Sequence, residues 1–356
     1  MNPYNYDLLE TARHLRQLTQ KEVAEKVGVS QSWLSKAEHG VQELPEEIMT
    51  RLFELYELPK AFFLNHSAVT PIGHLYFRRK LTISEKVIES FIAKVQIIKG
   101  IVDELMAAVD LPDFKINSYD PTEYSPQEIA DRIRFELKIV RGPIPNLTKL
   151  LEDNGVIVMK LNFGTEKIDG LTTITASNRK IMFINEQMPN DRIRFSLAHE
   201  LGHLVMHLEK TPRFVDTVED EADMFASEFL LPEREIAPSL QGLDLPVLAQ
   251  LKRRWRVSMR ALIRRAKDVG AIDYEEYRRF QILFSKKGYN RNEPIVLPEE
   301  QPTLLSETID LYQSELGYSD SDLMQIMRIG KKDYYSWFGD RHKIIQLFGN
   351  PSLSKA

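Results

Sequence analysis

The stretch DRIRFSLAHELGHLVMH (191–207), followed at 218–232 by VEDEADMFASEFLLP, decides how this chain is read. Both segments carry apolar residues at helical spacing. Residues four apart on a helix lie about 40° apart around its axis. His199 and His203 therefore stack on one face and can offer two imidazole nitrogens to a single zinc ion at roughly 2.0–2.1 Å. Glu200 follows the first histidine, placed to take a proton from water activated at the metal. Phe195, Leu197, Ala198, Leu201, Leu204 and Val205 bury the rest of the helix. A glycine inside a helix costs about 1 kcal/mol relative to alanine, so Gly202 predicts that something passes close by, such as a strand or the metal site.

The second helix predicts the third ligand. Its buried side is Ala222, Phe225, Ala226, Phe229 and Leu230, while Glu219 and Asp223 lie four apart on one face. Glu219 can complete a two-histidine, one-glutamate set, with Asp223 accepting a hydrogen bond from the outer nitrogen of a ligand histidine. Three protein ligands and an open position describe a catalytic zinc, since structural zinc sites are closed by four. Glu221 competes for the ligand role, but it points about 200° away from Glu219 and is expected to face solvent. His207 shares the face of His199 and His203. A capping or supporting role is favoured for it over direct ligation or substrate contact.

Outward from this centre, VIVMKL (156–161), LTTI (171–174) and KIMFI (180–184) read as strands. KIMFI, running toward Asn185 and the zinc helix, is the expected edge on which a substrate would add as an extended strand. Ser125-Pro126 opens a helix, and Pro145–Asp153 suggests another that ends at Asn154-Gly155. Residues 82–109 form a long amphipathic helix with Ile83, Val87, Phe91, Val95, Ile98, Val102 and Leu105 in one stripe. Linkers are expected at 65–73 and 294–302, and no internal repeat is visible.

The 356 residues imply two or three domains, and 43% hydrophobic with 28% charged residues is the balance of a folded soluble protein. Cysteine is absent, so thiolate ligands and disulfides are excluded and any metal must be held by His, Asp or Glu. No signal-like or membrane-spanning stretch is visible, and a cytoplasmic location is expected. The net charge of −5 hides an uneven distribution. Residues 252–291 hold thirteen Lys or Arg against four Asp or Glu, whereas residues 1–66 hold seven against ten. The basic run is either a solvated helix face or a site for an acidic partner or nucleic acid.

HELGHLVMH together with EDEADMFASEFLLP resembles the ImmA/IrrE family of metallopeptidases. SPQEIADRIRFEL, GPIPNLTKLLEDNGVIVMKL and FINEQMPNDRIRFSLAHELGH fit the same pattern, and the resemblance spans roughly residues 125–295. It implies a small sheet on a zinc-binding helix pair, His199, His203 and Glu219 as ligands, Glu200 as base, and repressor proteins as substrates. Asn185 corresponds to a frequent asparagine of that family.

LRQLTQKEVAEKVGVSQSWLSKAEHG (15–40) resembles an Xre-type helix-turn-helix. Thr19-Gln20 starts its first helix, Gly28-Val29 makes the turn and Ser30 caps the second. Gln31, Ser32, Trp33 and Lys36 would face base edges and Gln20 a phosphate. The acidic balance of this module weakens the phosphate side of that reading, and dimerisation or binding of another protein competes with it. Arg78-Arg79-Lys80 or the 252–291 run could supply the missing positive charge. The tail, SETIDLYQSELGYSDSDLMQIMRIGKKDYYSWFG (306–339), has a similar cadence, with aromatic residues suited to packing; a small helical bundle is expected.

The fold class expected is α+β. An all-helical head (1–66) precedes a long helical linker (67–120), a small-sheet zincin-like metallopeptidase domain (121–295) and a helical C-terminal unit (296–356). The function expected is a zinc-dependent endopeptidase, with manganese as a substitute metal, coupled to a DNA-binding regulator head. Its partners would be DNA and a protein substrate, a helix-turn-helix repressor, with a second copy of the chain also admissible and no membrane. A regulator whose peptidase-like domain binds or senses without cutting competes with it, as does a partner-gripping defence component.

Overall fold

The computed structural model describes residues 3–65, 83–109, 112–208, 215–290 and 292–339. They fall into two compact units. Of the described residues, the first comprises 3–65, 83–109 and 304–339, and the second 112–208, 215–290 and 292–303. The expected linker at 65–73 and the triplet Arg78-Arg79-Lys80 lie, all but Asn65, outside the described residues.

The first unit begins with α1 (Asp7–Leu15), α2 (Gln20–Val27), α3 (Gln31–Glu38), α4 (Glu46–Tyr56) and the short α5 (Lys60–Phe63). Local signals explain the boundaries. Thr19 and Glu22 form a capping box at the start of α2, Gly28 ends it in a left-handed conformation, and Ser30 caps α3. Arg13 and Glu38 form a buried ion pair with contacts of 2.7 and 3.0 Å. The long helix predicted over 82–109 is α6 (Glu85–Leu105). Phe91, Val95, Ile98, Val102 and Leu105 are all buried, and the helix packs on α1.

The second unit holds α7 (Pro126–Glu136), α8 (Leu147–Asp153), β1 (Val156–Leu161), β2 (Gly170–Ile174), β3 (Lys180–Asn185), α9 (Asn190–Met206), α10 (Val215–Leu230), α11 (Glu233–Ile236), α12 (Leu245–Trp255), α13 (Met259–Asp268) and α14 (Tyr274–Lys286). The strands sit where the β-branched runs predict, but their order is β1-β3-β2. β3 runs parallel to β1, with Val156 opposite Lys180, and antiparallel to β2, with Gly170 opposite Ile184. KIMFI is thus the central strand and not the expected edge. All six residues of β3 are buried, the apolar Ile181–Ile184 together with Lys180 and Asn185 at its ends, as expected of a strand paired on both sides. The outer strand that packs on α9 is β2.

Helices α7, α9 and α10 bury Ile129, Ile133, Leu197, Leu201, Phe225 and Phe229 in one apolar core. Buried ion pairs hold its margins. Lys252 Nζ lies 2.5 Å from Asp191 and 2.7 Å from Glu293, Arg194 pairs with Glu300, and Arg265 with Glu228.

The chain then returns to the first unit as α15 (Leu304–Ser314), α16 (Asp320–Met327) and α17 (Lys331–Trp337). Tyr312 donates to the carbonyl of Leu105, and Arg328 makes two contacts with Glu104, both at the end of α6. Among the described residues no helix is long and apolar enough to cross a membrane.

Candidate metal centre

Helix α9 carries His199 and His203 one turn apart, and α10 runs alongside it. Gly202 permits this closeness: a Cβ there would lie 3.1 Å from the Phe225 ring and 3.3 Å from the Ala222 Cα. The element passing Gly202 is therefore a helix, α10, where a strand or the metal site was expected, and it delivers Glu219. His199 Nε2 and His203 Nε2 are 3.0 Å apart, His203 Nε2 and Glu219 Oε1 3.3 Å, and His199 Nε2 and Glu219 Oε2 3.6 Å. Donors bound to zinc at about 2.0–2.1 Å in a tetrahedron are separated by about 3.3–3.4 Å, so the spacing fits a divalent ion. The chemistry fits as well. Two imidazole nitrogens facing each other at 3.0 Å gain nothing unless they share a proton or a cation, and the buried Glu219 Oε1 has only the His203 Nε2 contact at 3.3 Å to satisfy it. Among the described residues these three form the group of side chains able to hold a metal ion.

The outer nitrogens are also engaged. His199 Nδ1 lies 2.8 Å from Asp223 Oδ1. His203 Nδ1 lies 3.0 Å from His207 Nδ1, and His207 Nε2 lies 2.9 Å from Glu221 Oε2. Glu221, expected to face solvent, is instead only 8% exposed. It meets His207, at the end of α9, so a position about 200° from Glu219 is still covered.

Without a metal the charges are polarised. For His199, burial disfavours the cation, but the hydrogen bond it donates to Asp223 and the attraction of Glu219 outweigh it and hold the pKa at about 10. Burial drives His203 down to about 4. For Glu219 burial acts upward, yet its bonds to His199 and His203 bring it to about 2.

Glu200 lies against β2. Thr172 Oγ1 donates to its Oε2 at 2.6 Å. Gly170 makes room for it, since a Cβ there would lie 2.9 Å from both Glu200 Cγ and Oε1. Burial lifts the carboxyl to about 7, against the lowering influence of His199 and the Thr172 hydroxyl. The sequence offers no local signal for Gly170 or Thr172, because they come from a strand well upstream of α9. Asn185 gains a physical account here. It is fully buried, donates to the carbonyls of Thr165 and Ile168, and accepts from the amide of Gln187. It thereby ties the end of β3 to the loop that leads into β2.

A cleft of about 1210 Å³ flanks the centre, lined among others by Arg192, Phe195, Asp223, Met224, Arg260 and Arg264. Part of the basic run at 252–291 is structural: Lys252 and Arg265 are buried in ion pairs, while Arg253, Arg260, Arg278 and Arg279 are exposed. In the first unit, Gln31, Ser32 and Lys36 are exposed on α3 and Trp33 is half-buried. Gln20 is tied to Glu38 at 2.8 Å instead of standing free at the start of α2.

Comparison with known proteins returns two matches of parts of the chain. No curated protein matches it. Residues 151–267 match the family model of an IrrE N-terminal-like domain, a metallopeptidase family, and residues 7–61 match that of a helix-turn-helix domain. The chain thus joins a helix-turn-helix region of the DNA-binding kind to an IrrE-like peptidase region, in the manner of a regulator–peptidase fusion.

Proposed function

We propose that the chain is a zinc-dependent endopeptidase that cuts a regulatory, repressor-like protein in a stress, phage or mobile-element response, and that its head reads DNA. The observation that carries this reading is the buried Glu200, held by Thr172 at the flank of a His199–His203–Glu219 cluster. When bound, the metal would supply Lewis-acid activation of water and of the scissile carbonyl. His199, His203 and Glu219 would hold it, with manganese as an exchange substitute. Asp223 and His207 would fix the orientation of the two imidazoles. Glu200 would take a proton from the attacking water and pass it to the leaving amine nitrogen, and a carboxyl lifted toward neutrality suits both transfers. The substrate would lie extended along the outer side of β2, because that strand abuts Glu200 and main-chain hydrogen bonds there would not disturb β3. A cut site that must become a strand has to be flexible, such as an interdomain linker.

In the head, Gln31, Ser32, Trp33 and Lys36 would meet the DNA groove, and the protein would act in the cytoplasm. The test co-expresses full-length and Glu200→Gln protein with a helix-turn-helix repressor encoded beside it. The expected result is a defined cut with the former and none with the latter. Cleavage persisting in the Glu200→Gln form would remove the chain as the protease. Absence of cleavage by both, with the repressor still bound, would make the domain a sensor.

A further inference from the structure

The tail of the chain, which the metal centre does not use, repeats the architecture of the head at an offset of 300 residues. Thr19 and Ser319 each cap a helix and close a capping box, with Glu22 in one and Asp322 in the other. The helices that follow, Gln20–Val27 and Asp320–Met327, are both eight residues long. Each ends on a left-handed residue, Gly28 at φ 81 and Arg328 at φ 53. The next helix begins in the same register, at Gln31 and at Lys331. Buried positions coincide too: Val23 with Leu323, Val27 with Met327, Leu34 with Tyr334, and Ala37 with Trp337. The preceding helices agree in part, since Leu8, Leu9 and Ala12 of α1 and Thr308, Ile309 and Tyr312 of α15 are all buried. No residue is identical between 19–37 and 319–337, which is why the sequence shows no repeat.

The two copies differ at the end that would meet DNA. In a helix-turn-helix the first turn of the second helix carries the base-reading side chains. In the head that turn, Gln31 and Ser32, is exposed. In the tail it is closed by the head itself. Gly330 sits so near the Glu57 carbonyl that a side chain there would collide with it. Lys332 Nζ lies 2.7 Å from Glu57 Oε2, and the buried Asp333 takes both arms of the Arg16 guanidinium at 2.8 and 2.6 Å. Arg16 and Glu57 are the residues that end α1 and α4. At the start of the first helix, where a helix-turn-helix meets phosphate, the tail presents Asp320, which accepts hydrogen bonds from Tyr334, Tyr335 and Gln313. A carboxylate there repels the backbone of DNA.

We propose that residues 304–337 are a second helix-turn-helix module whose recognition helix has the head, not DNA, as its partner. The chain then carries a helix-turn-helix pair with a single reading face. Modules of this kind ordinarily pair between two subunits; here the second module comes from the same chain.

The test uses full-length protein and amide hydrogen exchange across 331–338. Arg16→Ala and Asp333→Ala should each speed exchange there by at least about tenfold, because the first leaves the buried Asp333 carboxylate unpaired and the second removes the anion that holds α17 to Arg16. The double variant should add little beyond either single one. Exchange at 197–205 should stay unchanged in all three, showing that the second unit remains folded. A mixed-sequence DNA duplex at low salt should protect amides at 31–36 and leave 331–336 as they were. Unchanged exchange in both single variants, or fully additive effects, would overturn the docking. Protection by the duplex at 331–336 would overturn the assignment of partner. A chain that bound no duplex would remove the DNA-reading head of the proposed function, and the exchange arm would still decide the second module.

Discussion

His203 can present Nε2 to a metal only if its proton sits on Nδ1, and that proton needs an acceptor. His207 Nδ1 is 3.0 Å away, and His207 in turn must donate from Nε2, where Glu221 lies at 2.9 Å. The three residues therefore fix one tautomer in series, and Glu221 anchors the series. Glu221→Ala should weaken metal affinity by roughly 10–100-fold, the usual worth of a partner behind a ligand, as read by competition with a chromophoric chelator. Affinity equal to wild type would mean that His207 holds its orientation without it. The ligand and base roles separate in the same assay. Glu219→Gln should lose more than the roughly 10–100-fold of an outer partner. Glu200→Gln should keep the metal and slow peptide-bond cleavage by at least about 10²-fold, since only the proton transfer is removed. Equal metal loss in both variants would contradict the division of labour proposed for them. What the sequence made legible at this scale was local. His199, His203 and Glu219, with Asp223 behind, follow from spacings of four on two helices. Gly170, Thr172 and Glu221 did not, because their positions depend on how β2 packs against α9 and how α9 and α10 pack together.

Helix α6 illustrates both the reach and the limit of periodicity. Its stripe of apolar residues predicts a buried face, and Phe91, Val95, Ile98 and Val102 are buried. Lys99 is also buried, and its Nζ has no hydrogen-bond partner. A one-face pattern cannot anticipate that, because α1 and α16 both pack on the helix and leave little of it to solvent. Burial lowers the pKa of Lys99, and the attraction of Asp103 offsets this only in part. The folded-state pKa is thus below the unfolded one, so the unfolded chain binds the extra proton. The penalty is complete below the folded pKa, shrinks as pH rises from there, and is gone above the unfolded value. Lys99→Met should therefore stabilise the first unit at neutral pH by on the order of 1–2 kcal/mol. The gain should shrink as the pH is raised toward the unfolded lysine value. Denaturation with exchange read out in α6 checks it, and a gain that grew with pH would invert the sign of the argument. The strands teach a similar lesson. Their positions were legible from β-branched runs, but the order β1-β3-β2 was not, since composition does not say which strand lies in the middle.

At the scale of the molecule, residues 3–65 and 304–339 belong to the first unit and the candidate metal centre lies wholly in the second. Every residue of the apolar core around α9 falls between Ile116 and Phe284, and the ion pairs of Lys252, Arg194 and Arg265 close within the same unit. The second unit therefore has what it needs to fold alone. A fragment of residues 111–303 should bind about one metal ion per chain, with an affinity within about threefold of the full-length protein, since no partner of a ligand is removed. Removing only residues 1–66 is a different experiment. It strips Arg16 and Glu57 from α17 and uncovers the face of α6 that packs on α1, so that variant should aggregate. The fragment is thus the proper comparison for the role of the head. If the head brings the peptidase to a DNA-bound repressor, the full-length chain gains effective concentration that the fragment lacks. The full-length chain should then cut a repressor on its operator faster than the fragment at low salt. The advantage should disappear as salt rises, because counterion release underlies the tethering. Free repressor should be cut by both at similar rates. A fragment without metal would contradict the independence of the second unit, and equal rates on operator-bound repressor at low salt would show that the head has some other partner.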